Sequence, residues 1–209
     1  MTQYAFHFNS DVCTGCKTCQ VACKETYKLP VNNLYRKVYN YQGGSWKPTE
    51  AGHYVPEGVF GYFVSLACNH CTNPACVANC PTGAMQKDEE TGIVSVDSEL
   101  CIGCESCIKA CPYEGVRTLI KSPEYYLDVV VGEYDAPPHK GGTVEKCDFC
   151  AGRIDRGEKP ACMELCPGRA RYWGDLDDPE SEVSQFLSGR NATVLLEEEG
   201  TSPSVYYVS

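Results

Sequence analysis

Sixteen of the 209 residues are cysteine, and they fall into four sets of four. The first is Cys13, Cys16, Cys19 and Cys23; the second is Cys68, Cys71, Cys76 and Cys80. The third is Cys101, Cys104, Cys107 and Cys111, and the fourth is Cys147, Cys150, Cys162 and Cys166. Cys-x-x-Cys-x-x-Cys-x-x-x-Cys describes the first and third sets, and Pro81, Pro112 and Pro167 directly follow the last cysteine of three sets. Thiolates in this pattern hold iron-sulfur cubanes, and four sets supply ligands for four [4Fe-4S] clusters. The chemistry on offer is electron transfer.

The spacing has a geometric cause. Three thiolates two residues apart sit on one short loop that wraps a cubane corner by corner, with backbone N–H groups turned toward the sulfurs. A fourth cysteine, three residues on, lies on the helix that begins there and points the other way. It therefore serves a neighbouring cluster, as in two-cluster bacterial ferredoxins. Proline after it fixes φ. Disulfides are the bland rival, but they staple short secreted chains with small cores, whereas this chain is long and 43% apolar. Zinc is the stronger rival, since paired Cys-x-x-Cys builds zinc ribbons; a third cysteine two residues on has no use there.

An internal repeat organises the elements that must hold these loops. Laying Tyr4–Cys23 over Gly92–Cys111 matches all four cysteines, and also Ser10 with Ser98, Gly15 with Gly103 and Ala22 with Ala110. NPACVANCPTGA from Asn73 lies over KPACMELCPGRA from Lys159 in the same way. The pattern predicts strands at Ala5–Phe8 and Ile93–Val96, short helices after Cys19 and Cys107, and a hairpin joining Ala84–Lys87 to Ile93–Val96 with Thr91-Gly92 at its turn. The expected fold is α+β, two nested bacterial-type two-cluster ferredoxin modules related by a pseudo-twofold repeat. Residues 1–30 with 140–175 form the outer module and 57–120 the inner one. Segments 31–56 and 121–139 are insertions, and 176–209 is a C-terminal tail.

The first insertion carries Tyr35, Tyr39, Tyr41 and Trp46, then Gly43-Gly44, which suggests a hairpin whose aromatics pack internally or dock a partner. The second holds Tyr125, Tyr126 and Val129–Val131 before the turn-rich APPHKGG. Val59–Cys68 is the longest apolar run; it reads as a buried strand and is too short to span a bilayer. The tail is acidic and ends in the β-prone VYYV. MTQYAFHFNSD carries no signal-peptide pattern, so the expectation is a chain without its own export address.

Formal charge is −10, and each oxidised cubane with four thiolates adds about −2, which takes the loaded protein to roughly −18. Nucleic acid is thereby excluded as a partner. Basic residues gather near cysteines (Lys17, Lys24, Lys109, Lys146, Arg153, Arg169 and Arg171), where some of them offset cluster charge. His70, between Cys68 and Cys71, reads as a loop residue donating a hydrogen bond; His7, His53 and His139 read as surface or satisfied groups. No Ser-His-Asp, phosphate-binding or dinucleotide signature is present, so the expectation is a chain with no catalytic residues.

Up to about Trp173 the chain resembles the four-cluster electron-transfer subunit of the dimethyl sulfoxide reductase family of molybdopterin oxidoreductases. The resemblance rests on CTGCKTCQVACK, LYRKVYNYQGGSW, LACNHC with NPAC, CIGCESC and KCDFCAGRIDRGEKPAC. It implies one cluster on Cys13, Cys16, Cys19 and Cys166, and a second on Cys23, Cys147, Cys150 and Cys162. A third would sit on Cys68, Cys71, Cys76 and Cys111, and a fourth on Cys80, Cys101, Cys104 and Cys107. Some relatives lack the second cysteine of the third set and carry a three-iron cluster; Cys104 is present here. The implied partners are a molybdopterin-containing catalytic subunit toward the outer pair and a membrane quinol-oxidising anchor, or another donor, toward the inner pair. The implied location is the outer face of the membrane, reached with an exported partner, with the cytoplasm as the alternative. A ferredoxin-like subunit of a formate dehydrogenase or hydrogenase is the second reading, and a zinc-stabilised interaction protein the third.

Overall fold

The computed structural model describes residues 3–127, 129, 132, 133, 136 and 138–208. In chain order, β1 (Tyr4–Asn9) leads into α1 (Thr18–Thr26), and a ribbon of β2 (Lys37–Pro48) and β3 (Tyr54–Leu66) follows. Next come α2 (Ala75–Ala78), β4 (Met85–Lys87), β5 (Val94–Val96) and α3 (Ser106–Lys109). The second half runs through β6 (Arg117–Ile120), β7 (Thr143–Lys146), α4 (Ala151–Asp155), α5 (Ala161–Glu164), β8 (Arg171–Asp175), α6 (Glu182–Leu187) and β9 (Val205–Val208). Most of these helices are single turns, far below the length at which a helix holds itself together in water. Their stability has to come from what they pack against.

The repeat is legible in the backbone. Lys17 and Glu105, equivalent in the two copies, both take left-handed φ values (62° and 60°) at the N-caps of α1 and α3. Gly15 and Gly103 both have φ of 66°, and a Cβ on Gly103 would collide with the Gly142 carbonyl. α2 and α5 both start directly after a proline, Pro74 and Pro160. β4 pairs antiparallel with β5, and β8 pairs antiparallel with β1, from Tyr4↔Asp175 to Phe8↔Arg171. The predicted hairpin is present, with Asp88 Oδ1 accepting from the Glu90 and Thr91 amides and Gly92 at φ 72°.

β1 is the central strand of the order β8-β1-β9, so Ala5, Phe6, His7 and Phe8 are all buried. Phe6 stacks on Phe149 at 3.7 Å between ring centroids, and His70 meets Phe149 edge-on. Into this same core project Cys19, Cys23, Cys68, Cys147, Cys150 and Cys162. A smaller core gathers Cys76, Met85, Val94, Cys107 and Val144.

Three expectations are corrected. Gly43-Gly44 does not turn the first hairpin; it forms a bulge between Gly43 and Ser45, where Gly44 at φ 94° leaves no room for a Cβ against Gly58. The turn lies at residues 49–53, closed by Thr49 N–H donating to the His53 carbonyl (2.7 Å) and Gly52 N–H to the Thr49 carbonyl (3.0 Å). Val59–Cys68 is largely strand, yet its first half is exposed; among the described residues β2 and β3 pair only with each other, in a two-stranded ribbon. The tail, whose contacts the sequence leaves open, joins the fold: β9 pairs parallel with β1, and residues 201–204 bond the 69–73 loop through Thr72 N–H to Ser202 O and Ser204 N–H to Asn69 O. Val130 and Val131 lie outside the described residues.

The third correction is His7, which is neither at the surface nor satisfied. Its ring is fully buried, packs on Phe186 (3.9 Å between centroids), and neither nitrogen has a hydrogen-bond partner among the described residues. Burial, then the charges of Arg190 and Arg171, lower its pKa to about 4. The unfolded chain, with histidine near 6.5, therefore binds the extra proton first as pH falls. Stability contributed by neutral His7 is complete above pH 6.5 and lost on the way to pH 4, by about 2 kcal/mol at pH 5. Thermal unfolding of wild type and His7→Leu between pH 7.5 and 5 tests this: the variant should lose that part of the acid slope. Parallel slopes would contradict it.

Candidate iron-sulfur centres

Cys13, Cys16 and Cys19 leave the loop that Gly15 and Lys17 bend into α1. The structure brings Cys166, just past the end of α5, to the same place: the four line one pocket with Phe8, Val12, Val38 and Arg171. A matching pocket is lined by Cys80, Cys101, Cys104 and Cys107 with Met85, Val96 and Val144. Among the remaining eight cysteines the strongest neighbours fall mostly within two sets, with Cys68 also acting on Cys147 across them. Burial, then neighbouring Cys147, Cys150 and Cys162, push the Cys23 thiol well up. Cys71 is pushed up to about 11 by burial, with Cys68, Cys76 and Cys111 adding to it and the Thr201 hydroxyl opposing.

Four thiols so close cannot all ionise without positive charge among them. Burial and its neighbours Asp148, Cys68 and Cys162 take Cys147 to about 12, despite Arg36, and burial takes Cys107 to about 11. Iron supplies that charge when it binds, at the cost of releasing the thiol protons. The protein also prepares the sulfurs. Met85 N–H donates to Cys80 Sγ (3.3 Å), Val144 N–H to Cys101 Sγ (3.4 Å) and Ala170 N–H to Cys166 Sγ (3.4 Å). The hydroxyls of Thr18 and Ser106, equivalent in the repeat, lie 3.3 and 3.4 Å from Cys16 and Cys104 Sγ and lower both thiol pKa values. Such a donor set, four thiols lining one pocket with amides aimed at sulfur, fits cubanes. Among the described residues, no group of three or more Cys, His, Asp or Glu side chains is arranged to hold a single metal ion.

The cations divide sharply. Lys17, Lys109 and Arg169 are exposed, Lys24 caps the Leu29 and Pro30 carbonyls at 2.9 Å, and Arg153 is paired with Glu133, Glu158 and Glu164. Lys146 and Arg171 are buried. Sequence reasoning missed two more beside the thiols, Arg36 and Arg117, whose only signal was a charge set in an otherwise core-forming stretch (LYRKV, VRTLI). At Cys68 burial raises the pKa, but Lys146, His70 and Arg117 outweigh it and hold the thiol well below its ordinary range. His70 itself accepts a hydrogen bond, from Val94 N–H to Nδ1 (3.0 Å), so its neutral ring carries the proton on Nε2. His139 is satisfied, by Glu145 at 2.7 Å and the Tyr27 carbonyl at 2.8 Å.

Comparison with known proteins matches residues 59–124 and 134–176 to a 4Fe-4S dicluster domain and residues 10–32 to a 4Fe-4S binding domain. The iron-sulfur subunit of a dimethyl sulfoxide reductase from Halobacterium salinarum is 37% identical over 100% of this chain and 80% of the relative. One component of the anaerobic dimethyl sulfoxide reductase of Escherichia coli is 41% identical over 85% of this chain and 76% of the relative. One component of the selenate reductase of Mesobacillus selenatarsenatis is 35% identical over 94% of this chain and 68% of the relative.

Proposed function

Because this protein belongs to the iron-sulfur subunits of the dimethyl sulfoxide reductase family, which transfer electrons through [4Fe-4S] clusters, we propose that it holds four clusters in two nested pairs and joins a donor to a catalytic subunit. The reductase complex is the enzyme, and this chain is its conducting part. Each cubane supplies one-electron chemistry when bound. What carries the reading is Cys166, which lines one cavity with Cys13, Cys16 and Cys19 although it lies far down the chain. We assign those four to one centre and Cys23, Cys147, Cys150 and Cys162 to the next. Cys68, Cys71, Cys76 and Cys111 form the third, and Cys80, Cys101, Cys104 and Cys107 the fourth. The nested modules follow, with 1–30 and 140–175 bracketing 57–120. Antiparallel β1–β8 and β4–β5 support that pairing of segments.

The chain's own residues fix the centres in series. Short helices and the turns that end them present the last cysteine of each run to the neighbouring group, amides and hydroxyls stabilise negative sulfur, and Phe8, Val38, Met85 and Val144 give the pockets apolar walls. Two relatives named for different reductases share this subunit type, which supports placing substrate chemistry in a partner. We take that partner to be a molybdopterin-containing catalytic subunit, with a membrane quinol-oxidising anchor or another donor at the far end. No helix among the described residues is long and apolar enough to cross a membrane. Location on the outer face, by export with the catalytic subunit, is part of the same proposal and rests on the family resemblance.

The ribbon β2–β3 offers the docking surface. Trp46, Tyr54, Phe60 and Tyr62 are exposed on it, with Tyr41 stacked on Tyr62, and interfaces favour such aromatics. Tyr35 is not part of it; it is buried and donates to Glu145 at 2.8 Å. Affinity purification should return a large molybdenum-containing subunit outside the cytoplasmic membrane. Trp46→Ala should weaken that association by about 2 kcal/mol, or ~30-fold, with cluster content unchanged. A cluster-loaded protein that reduces substrate without a partner, or a Trp46→Ala complex of wild-type affinity, would contradict this.

A further inference from the structure

Arg36 and Arg171 are two guanidiniums in one place, 3% and 5% exposed. Ser65, itself 1% exposed, ties them together: Arg36 Nη1 donates to Ser65 Oγ at 3.4 Å and Arg171 Nη2 to the Ser65 carbonyl at 3.0 Å. The same Ser65 Oγ lies 3.5 Å from Cys19 Sγ. Arg171 lines the pocket of Cys13, Cys16, Cys19 and Cys166, and its Nη1 has no hydrogen-bond partner among the described residues. Phe6 and Phe8 roof the pair, their ring centroids 5.6 Å from Arg36 and 5.0 Å from Arg171.

Among the described residues, neither guanidinium makes an ion pair with a carboxylate. Two like charges buried together without a counter-ion are costly, so an anion must complete the site. The negative groups that act on both are sulfurs, Cys162 and Cys19. These two cysteines belong to different groups of four, so the pair of cations stands between two centres.

We propose that Arg36 and Arg171, held together by Ser65, are a built-in counter-charge that sets the reduction potentials of the two centres on Cys13, Cys16, Cys19, Cys166 and on Cys23, Cys147, Cys150, Cys162. This rests on the ligand sets proposed above. Reduction adds one negative charge to a centre, and a fixed cation a short distance away in a water-poor interior favours the reduced form. The potentials of these two centres are thereby raised, and those of the other two, whose cysteines are not among the sulfurs acting on the dyad, move less. Holding both arginines on one serine keeps their charges near the sulfurs instead of letting them turn to solvent.

The test is EPR-monitored redox titration of the assembled complex carrying Arg171→Gln, Arg36→Gln, Arg171→Lys or Ser65→Ala. Each glutamine variant removes one of two repelling charges, so if one fails to assemble the other carries the test. Either should lower the reduced-to-oxidised ratio of an outer centre at fixed potential at least tenfold, about 59 mV for one electron. Arg171→Lys should stay near wild type, and Ser65→Ala should give a smaller drop. Unmoved potentials, or a drop in Arg171→Lys as large as in Arg171→Gln, would overturn the counter-charge role and leave the ligand sets standing. A shift confined to signals that Cys13→Ser and Cys23→Ser do not affect would overturn the ligand sets and the proposal with them.

Discussion

Cys166→Ser is expected to abolish quinol-linked turnover of the assembled complex while leaving activity with small artificial donors to the catalytic subunit largely intact. Position is the reason. Cys166 lines the cavity of the first cysteine run, and its Sγ is held by the Ala170 amide at 3.4 Å, so losing it opens one link in a series. Conduction in series fails at its weakest member, whereas an artificial donor enters downstream of the damage. Serine keeps the size of the side chain, so the fold around α5 should survive. Quinol-linked turnover that persists at wild-type rates, or loss of both activities together, would contradict the account.

Stripping the iron should have a still broader effect and unfold the chain. The main core is built from Cys19, Cys23, Cys68, Cys147, Cys150 and Cys162 as much as from Phe6 and Phe149. Helices α2 to α5 have four or five residues each and no stability of their own. Without clusters, Arg36 and Arg171 remain buried with no anion. One uncompensated buried charge costs about 3–5 kcal/mol, and a typical domain has only about 5–15 kcal/mol in hand. Anaerobic chelation followed by far-UV circular dichroism should show loss of structure and of the cooperative thermal transition. An iron-free chain that melts within a few degrees of the loaded one would refute this.

Much of the centre was legible because its information is local. Cysteines two and three residues apart, with proline behind them, report the loop that holds them, and the two copies of the loop share Gly15 with Gly103 and Lys17 with Glu105 in the same left-handed backbone. Strands β1 and β5 were legible for the same reason, as short apolar runs feeding those loops. What stayed hidden depends on partners distant in sequence. Arg36 reads as an ordinary surface charge until Ser65 and Arg171 are brought to it, and Ser65 carries no signal at all. His7 looked unremarkable because nothing near it in sequence shows that α6 closes over its ring. The Gly43-Gly44 pair misled because glycine at positive φ serves a bulge as well as a turn, and only the register across to Gly58 decides between them. The tail gave a strand-forming VYYV but not its partner, since parallel pairing with β1 joins the two ends of the described chain.

Crossed ligation, in which each run of cysteines serves two centres, is what every assignment above depends on. Spectroscopic identity of the clusters in single variants tests it most directly, since losing one thiolate can leave a three-iron cluster and a change of signal in place of an empty site. Cys13→Ser and Cys166→Ser are expected to alter one and the same EPR signal, and Cys23→Ser and Cys162→Ser a different one in common. If Cys13→Ser instead shares its altered signal with Cys23→Ser, and Cys162→Ser with Cys166→Ser, each run holds its own cluster and the crossed arrangement is wrong.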